Sequence, residues 1–286
     1  MISRETAIAE AFIAACCDEL EAPKPGNVHV LADGHSMTVA DFIRSAEVAA
    51  PSIARHGTRV GARILGAVEA TRAAVGQNTN LGILLLCAPL ACAVEFAPAD
   101  LRTALAKVLS CLDQQDAALA FRAIALAAPG GLGRAPRHDV SEPATVTLRE
   151  AMAEAAHRDR IARQYATTYD DVFDLGVPVL DDVLQRGASR WAATLAVHLG
   201  FLAAFPDSHI LRKYGEAQAR AVQAEATPLK TRLLAGAEAA LMRDLLAFDA
   251  RLKARRLNPG TSADLTVATL FVRRLRESLP CDRNNG

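Results

Sequence analysis

Apolar residues recur along this chain at steps of three and four, and alternation in steps of two never lasts more than a few residues. The first rhythm belongs to helices that bury one face, the second to half-buried strands. Residues 3–21 read as a helix with Ile8, Phe12, Ile13 and Ala15–Cys16 as its apolar positions and Glu5, Glu10, Asp18 and Glu19 as its acids. Pro23-Lys24-Pro25-Gly26-Asn27 stops that helix in a stiff loop that restricts Lys24. Residues 27–37 read as irregular, and Thr38 as the N-cap of a further helix with Asp41 in its first turn. Over 58–75, Val60, Ile64, Val68, Thr71 and Val75 share one face, while Glu69 and Arg72, three apart, share another and read either as a solvated pair or as pointing at the Asn78–Asn80 loop that follows.

One stretch is not amphipathic at all. From Leu81 to Val94, about 14 residues, there is no charge. That length fits a core helix better than a membrane span, and Pro89 is expected to kink it. Gln77-Asn78-Thr79-Asn80 stands at its mouth. These polar residues read either as an ordinary N-cap or as donors and acceptors at the edge of a dry site, where free backbone N–H groups favour an anion. The apolar pattern predicts further helices near 99–112, 114–128, 145–163, 188–204, 230–255 and 265–275. Asp170, Asp171 and Asp174 fall in an expected short turn.

Three segments between these helices carry polar chemistry. Residues 129–143 form the longest irregular stretch and open with Pro129-Gly130-Gly131-Leu132-Gly133. No strand precedes those glycines and no Gly-Lys-Ser/Thr follows, so this is not a P-loop; it reads as a mobile active-site loop or a plain linker. Asp207 or Ser208 is expected to cap a helix on which His209, Arg212 and Lys213 cluster on a side. A helix N-terminus with Arg and Lys suits a polyphosphate, and the alternative is a basic solvated face. In Asn258-Pro259-Gly260-Thr261-Ser262-Ala263-Asp264, Thr261 or Ser262 is expected to cap the last helix, with Asp264 in its first turn.

Composition agrees with this reading. Hydrophobic residues make up 51% of the 286 and aromatics only 5%, with strong helix formers abundant. The expectation is an all-α fold, a single globular multi-helix domain over 1–280 around the buried helix 81–95, with a disordered tail at 281–286. Lys and Arg (32) balance Asp and Glu (32), which argues against a nucleic-acid binder that relies on bulk charge. The six cysteines include no Cys-x-x-Cys pair, and Met1–Glu10 has no signal-like apolar segment. Neither a zinc site nor a disulfide framework nor a membrane span is expected, and the location expected is a reducing cytoplasm.

Lys24-Pro25-Gly26-Asn27-Val28, Asn78-Thr79-Asn80-Leu81-Gly82 and Asn258-Pro259-Gly260-Thr261-Ser262-Ala263-Asp264-Leu265 are three polar knots of one style, with Asp41-Phe42 and Arg44-Ser45-Ala46 between the first two. This set, in this order, resembles the triphosphoribosyl-dephospho-CoA synthase family over roughly Cys16 to Val272. The resemblance implies an all-α enzyme, a pentosyltransferase. It implies that ATP loses adenine while its triphosphoribosyl group passes to a ribose hydroxyl of dephospho-CoA, making a prosthetic-group precursor. Asn80-Leu81 and Ser36 depart from the family's usual pattern and imply a divergent branch. The alternatives are a related nucleotide-dependent transferase in one-carbon (methanopterin or methanofuran type) cofactor biosynthesis, and a non-catalytic nucleotide-binding helical protein.

Breaking an N-glycosidic bond develops positive charge on the ribose carbon, so such a site needs a carboxylate, a donor to the departing base and a general base. Asp41, Glu69 and Asp264 are the catalytic candidates, with Asp41 and Asp264 also candidate ligands for an expected Mg²⁺. Lys24, Arg212 and Lys213 are candidates for phosphate contact. Asn78, Thr79, Asn80, His209 and Ser262 complete the nucleotide-binding set. The partners expected are ATP and dephospho-CoA or a related acceptor, with a homodimer left open and neither nucleic acid nor membrane involved. The three knots are expected to converge at the mouth of helix 81–95.

Overall fold

The computed structural model describes residues 2–236 and 238–279. Among these, fourteen α-helices and no strand or sheet occur, so the fold is all-α as expected. In chain order they are α1 (Arg4–Glu21), α2 (Val39–Ala54), α3 (Val60–Val75), α4 (Leu81–Phe96), α5 (Leu101–Ser110), α6 (Gln114–Ala127) and α7 (Leu148–Ala155). The second half holds α8 (Arg160–Thr167), α9 (Val177–Gln185), α10 (Arg190–Ala204), α11 (Ser208–Tyr214), α12 (Glu216–Leu234), α13 (Glu238–Ala254) and α14 (Gly260–Ser278). The tail expected at 281–286 lies outside the described residues.

The uncharged run is the central element. Almost every residue of α4 is buried, and the helix packs against α2, α3, α5, α8 and α14. Each fully buried Leu or Ile there contributes roughly 1.5–3 kcal/mol. Pro89 lies within α4 and has no N–H to offer the Leu85 carbonyl. The hydroxyl of Tyr165 donates to Leu85 O at 2.6 Å, and that of Tyr169 donates to Leu86 O at 3.0 Å. Two buried tyrosines of the α8 region thus serve backbone acceptors beside the proline, which a dry core would otherwise leave costly. At the far end of α4, Glu95 pairs with the fully buried Arg63 of α3 at 2.5 Å.

Four local expectations are corrected. Residues 145–163 are not one helix: α7 ends at Ala155, and Asp159 caps α8 by accepting from the N–H groups of Ile161 and Ala162. Asp171 and Asp174 belong to a π-helical turn, Asp171–Gly176, rather than a short turn. The expected 230–255 helix is two, with α12 ending at Leu234 and Gly236 at a φ of 83° before α13. Finally, α14 begins at Gly260, so Thr261 and Ser262 lie inside it and neither caps it, and Asp264 lies beyond its first turn.

Candidate active site

Polar residues from distant parts of the chain line a cavity of about 1110 Å³ at the mouth of α4. Its walls include Asn27, Asn78, Thr79, Asn80, Leu81 and Gly82, then His209, Arg212 and Lys213, and then Asn258, Gly260, Thr261 and Asp264. The three knots do converge, and specific contacts hold them together. Gly26, at a φ of 81°, sits so close to the third knot that a Cβ there would lie 2.8 Å from Leu257 O and from Pro259 Cδ. Asn27 Nδ2 donates to Pro259 O at 3.2 Å. A Cβ on Gly82 would lie 2.1 Å from Asp264 Oδ2, so only glycine leaves room for that carboxylate.

Asp207 joins α11 to α14. Its Oδ1 accepts from the N–H groups of His209 and Ile210, capping α11. Its Oδ2 accepts from the N–H and the hydroxyl of Ser262, both at 2.8 Å. The helix-terminal donors of α14 are therefore met by a carboxylate from another element rather than by a local cap. Burial pushes the Asp207 carboxyl up, although those hydrogen bonds oppose the shift.

The Asn-Thr-Asn knot is held as firmly. Asn78 Oδ1 accepts from Leu81 N at 3.1 Å, so Asn78 rather than Asn80 caps α4 through its side chain. Asn80 Nδ2 donates to Thr71 Oγ1 at 3.2 Å. Thr79 Oγ1 donates to Ser45 Oγ at 2.6 Å, and Ser45 donates on to Asp41 O at the same distance.

Asp264 is the carboxylate at the centre. It is half-buried, lines the cavity and has no hydrogen-bond partner among the described residues. Desolvation, and then the nearby charges of Asp207, Glu19 and Asp159, hold its pKa well above the ordinary aspartate range. His209 is its opposite: burial, with Lys213 and Arg212 beside it, pushes its pKa down to about 3. The imidazole is thus neutral, and its buried Nε2 has no partner among the described residues. Asn258 Oδ1 is likewise buried and unpartnered at the wall.

The 128–147 segment forms the outer wall through Pro129, Gly130, Leu132–Ala135 and Arg137–Val140. Arg212 Nε donates to Gly130 O at 3.2 Å, and the Lys213 stem packs on Gly130 and Gly131. Arg137 pairs with Glu154 at 2.8 Å and Arg212 with Asp159 at 3.3 Å. Arg134, Arg158 and Lys213 also line the cavity and form no ion pair among the described residues. The cavity thus has a cationic outer wall and a carboxylate at its floor.

Other candidates from the sequence lie elsewhere. Lys24 does not reach the cavity: it is fully buried, donating to Glu19 O, Val28 O and Ala22 O at 2.6, 3.1 and 3.3 Å. Asp41 also lies off the cavity, closing a capping box with Thr38. Glu69 is exposed on α3, 4.0 Å from Arg122 of α6. Ser262 is buried against Asp207. Conversely, Glu19, Arg134, Arg158 and Asp159 line the cavity and were not marked by any motif; the charge of Glu19 and Asp159 alone does not separate them from surface acids.

This arrangement can be set against known proteins. The sequence model described as CitG: ATP:dephospho-CoA triphosphoribosyl transferase matches residues 5–282. The chain belongs to that family. It is therefore an enzyme that transfers the triphosphoribosyl group of ATP to dephospho-CoA with release of adenine. A crystal structure from Archaeoglobus fulgidus, described as a candidate triphosphoribosyl-dephospho-CoA synthase, matches with a TM-score of 0.62 at 24% identity, covering 80% of this chain and 95% of that one. That likeness speaks for the fold. No curated protein sequence matches the chain. Neither the one-carbon-cofactor reading nor the non-catalytic reading gains support from these comparisons. Among the described residues, no helix is long and apolar enough to cross a membrane.

Proposed function

We propose that the cavity at the mouth of α4 is where this transfer takes place, with Asp264 as its proton-carrying group. The observation that carries the reading is the seating of the unpartnered Asp264 carboxylate against Gly82, where the second and third knots meet. A cavity of about 1110 Å³ exceeds the roughly 300–1,000 Å³ typical of single-ligand pockets. That size suits two substrates held together.

The residues divide the work by charge. Arg212 and Lys213, with Arg134 and Arg158 of the same cavity lining, hold the triphosphate. Asn78, Thr79 and Asn80 orient the ribose, each with one polar group already fixed by the protein. Neutral His209 and the Asn258 carbonyl are suited to an uncharged ligand edge such as adenine rather than to phosphate. Asp264 keeps its proton to higher pH than an ordinary aspartate and can give it to adenine as the C1′–N9 bond breaks.

Magnesium enters this reading with the nucleotide. Among the described residues no group of three or more His, Cys, Asp or Glu side chains converges on one point. Magnesium commonly binds through one or two carboxylates together with substrate phosphates. Asp159, beside Arg212 on the cavity wall, is the carboxylate that fits this role, whereas burial favours the proton-transfer role for Asp264. When bound, the ion shields and fixes the triphosphate. The test is incubation with ATP, Mg²⁺ and dephospho-CoA followed by mass detection: equal amounts of adenine and adduct are expected, and Arg134→Ala or Lys213→Ala should weaken ATP use. Unchanged ATP use in both variants would remove the cavity's outer wall from the site.

A further inference from the structure

Glu19 is the one acid of α1 that is buried, and it faces the same cavity as Asp264. Its Oε1 lies 3.2 Å from Lys24 Nζ. Lys24 in turn is clamped by the Glu19, Ala22 and Val28 carbonyls, which fix the position of the ammonium beside that carboxylate. No hydrogen bond occupies the remaining Glu19 oxygen among the described residues. A buried Lys–Glu pair is a poor way to stabilise a core, because apolar residues of similar volume do as well or better. Its presence at the floor of a substrate cavity calls for a functional reason.

We infer that Glu19 is a second catalytic carboxylate, the base that takes the proton from the attacking ribose hydroxyl of dephospho-CoA, and that Lys24 is the positioning residue that holds it in place. The inference rests on reading this cavity as the transfer site. In the balanced step, the C1′–N9 bond of ATP breaks and its electron pair leaves with adenine, which takes the Asp264 proton. The acceptor oxygen forms the new bond to C1′, and its proton passes to Glu19. One carboxyl is thereby left charged and the other protonated, and exchange of a proton with solvent restores both.

Burial raises both acids, but only Glu19 has a cation in contact to oppose it. Desolvation leaves the Glu19 carboxyl raised on balance, with the charge and hydrogen bonding of Lys24 opposing the shift. Asp264 has no such partner, and its neighbouring charges are chiefly acidic. The titratable and charged groups facing Glu19 are Cys16 on its own helix, Lys24 on the following loop and Asp264 on α14, while Asp249 and Lys253 on α13 and His198 on α10 lie around Lys24, with His29 beside Asp249 and His198. Among them Lys24 is the one that makes direct contact. Two acids that their environments raise unequally divide into a proton donor, the more raised Asp264, and a base, the cation-paired Glu19.

The test compares Glu19→Gln, Lys24→Met and the double variant, with wild type and Asp264→Asn alongside, by adenine release and ATP binding. Glu19→Gln is expected to lower turnover about a hundredfold or more with ATP affinity kept. Lys24→Met is expected to move the acidic limb of the turnover profile to higher pH, because Glu19 loses the charge that opposes the rise from burial. The double variant has no unpaired buried charge; it is expected to fold at least as well as either single variant and to remain inactive. Wild-type turnover in the double variant would show that Glu19 serves only as a counter-ion, and would overturn the inference, as would near-wild-type turnover in Glu19→Gln. Full activity in Asp264→Asn would instead remove the reading of the cavity. Loss there with full activity in the double variant would remove only the role of Glu19.

Discussion

The carboxylate of Asp264 occupies the space that a side chain at position 82 would need. The second knot supplies the gap and the third fills it. Ala is normally preferred to Gly within a helix by about 1 kcal/mol. Gly82→Ala is nevertheless expected to lower turnover tenfold or more, because its Cβ would lie 2.1 Å from Asp264 Oδ2 and 2.7 Å from Ile161 Cδ1 and must displace one or both. Steady-state kinetics beside circular dichroism checks this; full turnover in a well-folded variant would count against it.

Asp264 also makes stability depend on pH with a definite sign. Its native pKa is raised, so the folded protein holds a proton that the unfolded chain has already released above the ordinary value of 3.8. Stability from this group is therefore fully present below that value and is lost as pH rises through the native pKa. Asp264→Asn removes the loss. The variant should melt higher than wild type at pH 7–8, with the gap closing towards pH 4. Thermal melts across that range check it, and a gap that widens on acidification would contradict it.

The buried histidines act in the reverse sense. His198 is fully buried with no hydrogen-bond partner among the described residues, and burial pushes its pKa down to about 3, as it does for His209. Both groups bind protons more readily when unfolded, so their contribution is present above the ordinary value of 6.5 and lost as pH falls. His198→Leu is expected to reduce the fall in melting temperature between pH 7 and pH 5, as measured by scanning calorimetry.

Tyr165→Phe leaves the Leu85 carbonyl without the donor that stands beside Pro89. An unsatisfied buried acceptor costs about 1–3 kcal/mol. Denaturant unfolding should show a loss of that size, while turnover at low temperature stays close to wild type because the hydroxyl lies outside the cavity lining.

Much of this fold can be read from apolar spacing, and the exceptions have physical causes. The α4 run is legible because no surface helix lacks charge over that length. The start of α14 is not, because Thr261 and Ser262 look like caps while the actual acceptor for its terminus is Asp207, in another knot. The break before α8 rests on Asp159, which resembles any other surface acid until its hydrogen bonds to Ile161 and Ala162 are known. At the site, the convergence of three knots is legible through their shared style together with the family resemblance that their order carries. The positions of Lys24, Glu69 and Glu19 were not. Lys24 in a Pro-Pro-Gly loop does not announce that it turns inward, and Glu69 follows α3 towards α6 rather than the knot after it. Glu19 differs from its neighbouring acids only in pointing at Lys24, and one helical pattern cannot reveal that.

The most direct measurement of the central claim is adenine release by Asp264→Asn supplied with ATP, Mg²⁺ and dephospho-CoA. Turnover about a hundredfold or more below wild type, with helix content and ATP binding retained, is the predicted result. Wild-type turnover in the folded variant would contradict the account.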